Sequence, residues 1–451
     1  MTKLLQDLGE FAQSTAAAAL SDDVFHHAKR ALIDWYAALL PGAVIAPAMN
    51  LEIAVAGELD HGPSRLALGR RAPPRVAALI NGTAAHAVEF DDIFKDAIYH
   101  PGAPTIAAAL ACAQANGASG DGLLRAIVAG YEISTRIGAA MGRAHYKYWH
   151  NTGTIGGFGA ASAAGVLNGL SASQHSHALA TVTTFAAALQ QAFRMDSHSK
   201  PLHAGRAAEA GVLAALAAKA GVIGSLDVID GDAGFGVAMS DGPDWSKAFS
   251  TLGHDYNITR MTFKNHGCCG HTFAAIDGAL ALSAQLQAGS DMIDRVSIAT
   301  YKAALDVADI RAPRTAAEAK FSLRYVVAHA LVHGSVRLDA FAPDRISDPR
   351  VRALMSRINV TLDPELDAAF PRQRAARVGF TLRDGRTAGL LQPTRKGDPD
   401  APLSDAELEA KFIELASPVI GIDAARELVG SLWNVDRAPS LDFTFGVRRR
   451  A

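Results

Sequence analysis

Cysteine is scarce. Cys112, Cys268 and Cys269 are the only three in 451 residues, an odd count with two adjacent, which excludes a disulfide framework. An excess of either charge is lacking too: 43 Lys and Arg face 45 Asp and Glu, a formal charge of −2. A chain built to hold nucleic acid or an anionic membrane surface needs a basic excess, so neither partner is expected. No uninterrupted apolar run reaches the roughly 18 residues of a spanning helix. The N-terminal MTKLLQDLGEF has Asp7 and Glu10 where a secretory signal needs its apolar core, and a cytoplasmic location is expected. Nucleotide signatures are missing as well. Gly153, Gly156, Gly157 and Gly159 do not have the G-x-G-x-x-G spacing, and no G-x-x-x-x-G-K-[ST] or G-x-S-x-G sequence occurs.

Aromatics are few, at 7%, while 49% of residues are apolar and 20% charged, the balance of a globular protein of two or three folding units. Alanine dominates the first half and favours helix. Ser21 is a candidate N-cap, and Val24, Ala28, Ala31, Leu32, Trp35 and Leu39 form an apolar stripe at helical spacing. Similar runs at 74–89, 104–116, 122–142, 155–169, 173–193 and 204–221 predict that the chain is mainly helical to about residue 260. Beyond that the texture changes. Arg295–Tyr301, Arg357–Leu362 and Arg377–Leu382 read as strands, Asp384-Gly385 as a hairpin turn before Thr387–Leu391, and 271–286 and 315–333 as helices. Ser404 and Glu407 form a capping box before a final helical stretch that ends in an Arg-rich tip at 448–450. The fold class is therefore mainly α, with a smaller α+β portion.

Sixteen histidines raise the question of a metal. His86, Glu89, Asp91 and Asp92 lie on or just after one helix, and His86 and Glu89 share a face. His266, Cys268, Cys269 and His271 form a second cluster without zinc-finger spacing. Neither passes the spacing tests, so no metal is expected, and a metal-dependent hydrolase is an outside reading. Cys112 sits in an apolar run and reads as core.

The stronger pattern is a dispersed set of cations in loop-like settings. His100-Pro101-Gly102 interrupts two helices; His150 and Thr152 stand at the start of another. Arg194, Lys200 and His203 precede the helix expected from Ala204, and Lys264 and His266 end an expected short strand. Clustered Lys, Arg and imidazolium suit a substrate with several carboxylates. They also stabilise the extra negative charge that develops when a proton is taken next to a carboxylate, while His or Asp moves that proton. Such a reaction needs no cofactor.

These residues lie in stretches that resemble the MmgE/PrpD family: NGTAAHAVEFDD (81–92), HPG (100–102), GYEISTRIG (130–138), HNTGTIGGFGAASAAGVLNGL (150–170), SKPLHAGRAAEAGVLAALAAKAG (199–221) and AEAKFSLRYVVAHAL (317–331). They occur in family order and cover most of the chain. The family includes 2-methylcitrate dehydratase, cis-aconitate decarboxylase and iminodisuccinate epimerase. The resemblance implies a large all-helical domain of residues 1–262 with 395–451, an α+β lid domain of 263–394, a pocket between them, no metal or other cofactor, and a homodimer. Its site maps onto Asp91, Asp92, His100, His150, Lys200 and Lys264, with Glu89 where many relatives have Asp. After Lys264 many relatives read Tyr- or Phe-Pro-x-Cys, whereas this chain has Asn265-His266-Gly267-Cys268-Cys269-Gly270-His271.

The resulting expectation is a cofactor-independent lyase on a small polycarboxylate, foremost a hydro-lyase of the 2-methylcitrate dehydratase kind. Asp91, His100, His150, Lys200, Lys264 and His266 are its expected catalytic residues. Glu89, Asp92, Thr152, Arg194, His203 and Cys268 are expected to bind substrate. Epimerisation and decarboxylation share the deprotonated or carbanionic state and stand as alternatives, as does a polycarboxylate-binding protein without turnover.

Overall fold

In the computed structural model, which describes residues 3–193, 197–438 and 440–443, Ser21 opens the first long helix as its position predicts. Its hydroxyl accepts the Val24 N–H, and the helix Asp22–Gly42 buries the whole apolar stripe from Val24 to Leu39. Helices Pro74–Ala87, Gly102–Asn116, Gly120–Tyr146, Gly156–Leu167, Ala172–Thr183 and Ser199–Lys219 follow. Two ends differ from the sequence expectation. The run expected over 173–193 stops at Thr183, where the hydroxyls of Thr183 and Thr184 bond back to the carbonyls of Leu179 and Thr181 at 2.7 Å each; such bonds compete with helix continuation. The helix expected from Ala204 starts at Ser199 instead. Pro201 falls in its first turn, where a missing N–H removes no intrahelical bond.

The chain divides into two compact units, Met1–Thr262 with Ser404–Ala451, and Phe263–Leu403. In the first, helix Pro74–Ala87 packs on Ser199–Lys219 and on Gly102–Asn116. A Cβ at Gly205 would stand 2.1 Å from the Thr83 hydroxyl and 2.2 Å from the Leu79 carbonyl. Only glycine permits this close crossing, which brings Lys200 and His203 alongside the end of the helix bearing His86. The expected strand at 262–266 does not form. Thr262 makes an isolated antiparallel bridge with Ile93.

The second unit holds a four-stranded sheet in the order Ile358–Leu362, Ile293–Thr300, Ala376–Leu382, Thr387–Gln392. The first pair is parallel and the other two antiparallel. Gly385 takes φ +87° in the hairpin turn that Asp384-Gly385 predicts. Val378 and Phe380 alternate inward and join a core with Phe273, Ile276 and Leu282 of the helix Phe273–Leu286. The helix expected over 315–333 is broken into Ala316–Lys320 and Leu323–His333 because Ser322 caps the second piece, accepting the Tyr325 N–H. The unit runs past residue 394 to Leu403. Arg395 is buried there, held by Asp398 at 2.7 and 2.8 Å and by the Gly270 carbonyl at 2.9 Å. The Ser404–Glu407 capping box then opens helix Asp405–Ile420, which returns to pack on Asp22–Gly42 in the first unit. Residues 448–450 lie outside the described residues. Among those described, no helix is long and apolar enough to cross a membrane.

Candidate active site

Helix Pro74–Ala87 ends one residue after His86, and the next residues turn sharply. Glu89 adopts φ +61°, a left-handed conformation that costs a residue with a Cβ energy unless its surroundings hold it. Four successive residues are each engaged by a different part of the first unit. The Glu89 carboxylate pairs with the Lys200 ammonium. The Phe90 carbonyl accepts from Lys411 at 2.9 Å. Asp91 Oδ2 lies 2.7 Å from His86 Nδ1 and 3.4 Å from His100 Nδ1. Asp92 accepts the Gly102 N–H at 3.0 Å and the Tyr131 hydroxyl at 2.8 Å.

His100 follows a tight turn closed by two bonds between the backbones of Phe94 and Tyr99. Pro101 then disfavours helix at His100 and starts Gly102–Asn116. The His100 N–H points at the buried Thr152 hydroxyl, 3.4 Å away. His150 caps the short turn Asn151–Thr154, its own N–H donated to the Ala188 carbonyl at 2.9 Å. The imidazoles then meet. His86 stands 4.8 Å from His100 and stacks on His150 at 5.4 Å between ring centroids, and His150 Nδ1 is 3.1 Å from His203 Nδ1.

Burial would raise the Asp91 carboxyl, but His86 and His100 outweigh it and hold it well below the usual range, so it is ionised. Its neighbour behaves oppositely. Burial, with the charges of Asp34 and Asp91, pushes Asp92 up to about 8, so it is a neutral acid at neutral pH. His150 is kept neutral by burial, reinforced by His86, Lys200, His203 and His100. Burial likewise takes His203 down to about 4. Burial disfavours the Lys200 charge, yet Glu89 prevails and raises it. With Asp91 accepting from its Nδ1, His86 leaves Nε2 as a buried nitrogen with no hydrogen bond among the described residues.

His86, Asp91 and His100 each offer a ligand atom within 4.8 Å of the others, a two-imidazole, one-carboxylate set suited to a first-row divalent cation. Glu89, grouped with His86 by spacing, turns instead to Lys200.

In the second unit Lys264 and His266 are buried. His266 Nε2 bonds Asp277 Oδ1 at 2.8 Å, and Asp277 Oδ2 accepts the Lys396 N–H at 2.8 Å, making an oriented His–Asp pair. Cys268 sits in the apolar core, 3.2 Å from the Thr272 hydroxyl, and burial pushes its thiol up to about 12. Arg194 lies outside the described residues. Of the expected site residues, Glu89, Asp91, Asp92, His100, His150, Thr152, Lys200 and His203 thus gather in the first unit. Sequence reasoning weighed His86 only as a metal ligand and passed over Tyr131, Asp277 and the buried Asp34–Lys411 pair. His86, five residues before Asp91, and Tyr131 both lay in family-like stretches, 81–92 and 130–138; Asp277 and the Asp34–Lys411 pair had no signal.

The MmgE/PrpD N-terminal domain family matches residues 6–248 and the MmgE/PrpD C-terminal domain family residues 266–435. A human cis-aconitate decarboxylase is 29% identical over 377 residues, covering 81% of this chain and 77% of that protein. A cis-aconitate decarboxylase-like protein of Aspergillus oryzae is 27% identical over 439 residues, 92% of this chain and 90% of that protein. A 2-methylcitrate dehydratase of Escherichia coli is 30% identical over 118 residues, 25% of this chain and 24% of that protein.

Proposed function

The chain belongs to the MmgE/PrpD family, and from that premise we propose that it is a lyase that decarboxylates a small unsaturated polycarboxylate of the cis-aconitate kind. The extent of similarity supports this order of readings. The decarboxylase matches run along most of the chain and the dehydratase match along a quarter of it, which favours decarboxylation over the hydro-lyase that the sequence alone put first.

The observation that carries the chemistry is the single Asp91 oxygen lying between two imidazoles. Asp91 orients and charge-stabilises rather than moving the proton itself. His100 is the proton carrier, because its side chain is 14% exposed whereas those of His86 and Asp91 are at most 1% exposed. The bond to the departing carboxylate breaks, its electron pair passes into the substrate's carbon framework, and carbon dioxide leaves. That carbon framework then takes the His100 proton, which water replaces. Lys200 exchanges its Glu89 partner for a substrate carboxylate, and neutral His150 hydrogen-bonds an oxygen. Lys264 as a carboxylate ligand is assigned on the family resemblance alone, and His266, where this chain departs from many relatives, is given no step in the decarboxylation. None of these roles calls for a metal.

EDTA-treated protein in deuterated water, offered cis-aconitate, 2-methylcitrate, citrate and iminodisuccinate separately, tests this. Carbon dioxide and a singly deuterated product from cis-aconitate are expected. Loss of water from 2-methylcitrate would instead make it a hydro-lyase, and deuterium uptake without net loss an epimerase. Calorimetric binding without exchange would make it a binding protein. Activity abolished by chelation and restored by zinc or iron would overturn the metal-free assignment.

A further inference from the structure

Lys411 is a buried cation that the mechanism above does not use. It is wholly buried in helix Asp405–Ile420, and Asp34 on helix Asp22–Gly42 is buried beside it. Its Nζ lies 2.6 Å from Asp34 Oδ1, 2.9 Å from the Phe90 carbonyl and 4.4 Å from the centre of the Phe90 ring. Removing two charges from water is expensive, and apolar residues of similar volume often stabilise a fold as well or better. Packing alone therefore leaves the pair unexplained.

The contact with Phe90 supplies the reason. Phe90 directly precedes Asp91 and directly follows the left-handed Glu89, so its carbonyl sets the direction in which the Asp91 side chain leaves the backbone. An apolar residue at 411 has no donor for that carbonyl, whereas an ammonium has three and can serve both Asp34 and the carbonyl. We propose that Lys411 is a positioning residue. It holds the Phe90 carbonyl and thereby keeps Asp91 Oδ2 between His86 and His100, with Asp34 as the counter-ion that lets a cation remain in the interior. A helix formed 321 residues later in the chain thus completes the site. This rests on the reading of Asp91 and His100 as the proton-handling pair.

Two variants of the full chain separate positioning from charge balance. Lys411→Met removes the donor and strands the Asp34 charge; Asp34→Asn with Lys411→Met removes the donor without stranding a charge. Thermal unfolding, kcat and KM for the polycarboxylate that the wild type turns over, and the imidazole nitrogen resonances of His86 and His100 are measured in each. The double variant is expected to regain thermal stability relative to Lys411→Met, yet to keep a kcat about 100-fold below wild type with KM little changed, the loss typical of a misplacement near 1 Å. The His86 and His100 resonances should move in both variants. Wild-type kcat in the double variant would reduce Lys411 to charge balance and overturn the proposal. If the wild type turns over no polycarboxylate, the functional reading fails on its own. The resonances then decide, since unchanged His86 and His100 signals in the double variant would refute positioning.

Discussion

Replacing Asp92 by Asn should stabilise the protein at neutral pH, by an amount that depends on pH in a defined way. Asp92 is 2% exposed, accepts from the Gly102 N–H and the Tyr131 hydroxyl, and has its carboxyl pushed from 3.8 up to about 8 by burial, Asp34 and Asp91. Below about pH 4 both the folded and the unfolded chain carry this proton, and above about pH 8 neither does. In between, only the folded chain holds it. Stability therefore falls as pH rises, by about 1.4 kcal/mol per pH unit, reaching an accumulated cost of about 4 kcal/mol near pH 7. Asparagine has the shape of the neutral acid: its Oδ1 keeps the Gly102 N–H, and its Nδ2 reverses the Tyr131 bond by donating to the phenol oxygen. The variant keeps both contacts and loses the pH-dependent cost. Thermal unfolding of the two proteins across this range should give curves that converge toward acid and diverge toward neutral. Infrared difference spectra should show a neutral-acid carbonyl band near neutral pH in the wild type alone. Parallel stability curves together with no such band would refute the reasoning.

The remaining predictions concern the histidines and Lys200. His86→Ala removes both the donor to Asp91 and the ring stacked on His150; turnover should fall by about 100-fold or more, whereas His86→Asn, whose amide mimics Nδ1, should retain most of it in steady-state assays. Equal losses in the two would mean that the ring alone matters. Lys200→Ala leaves Glu89 without its ammonium and should cut turnover severely with little change in melting temperature, and wild-type kinetics would remove Lys200 from the site. Burial holds His145, His175 and His203 at about 4 instead of 6.5. The unfolded chain takes up these protons first on acidification, so stability should fall as pH drops from 6.5 to 4, against the opposite trend from Asp92. A wild-type melting temperature that keeps rising down to about pH 4 would show that these imidazoles are not held neutral.

Local chemistry was legible in the residues themselves. Ser21 and the Ser404–Glu407 box cap helices where their side chains reach the first free N–H groups. Pro101 separates His100 from the helix after it, and Asp384-Gly385 turns a hairpin. Each depends on a few neighbouring residues, and so did the family motifs that carried Asp91, His100, His150 and Lys200. Where neighbouring side chains competed with the backbone, as at Thr183 and Ser322, the predicted helix limits failed.

Tertiary structure alone decided which of these side chains meet. The parallel pairing of Ile293–Thr300 with Ile358–Leu362 spans some 60 residues that no local propensity registers. His86 joined Asp91 because its helix ends there, and Lys200 and His203 arrived because Gly205 lets two helices cross at close range. The opposite protonation of Asp91 and Asp92, adjacent residues of one chemical type, depends on which charges surround each in the folded chain. The sequence by itself determined most of the helices and strands and the residue types available for catalysis, because those follow largely from short-range sterics and hydrogen bonding. The pairing of Lys411 with Asp34 and Phe90 was decided by burial, which exists only once distant segments have come together and excluded water.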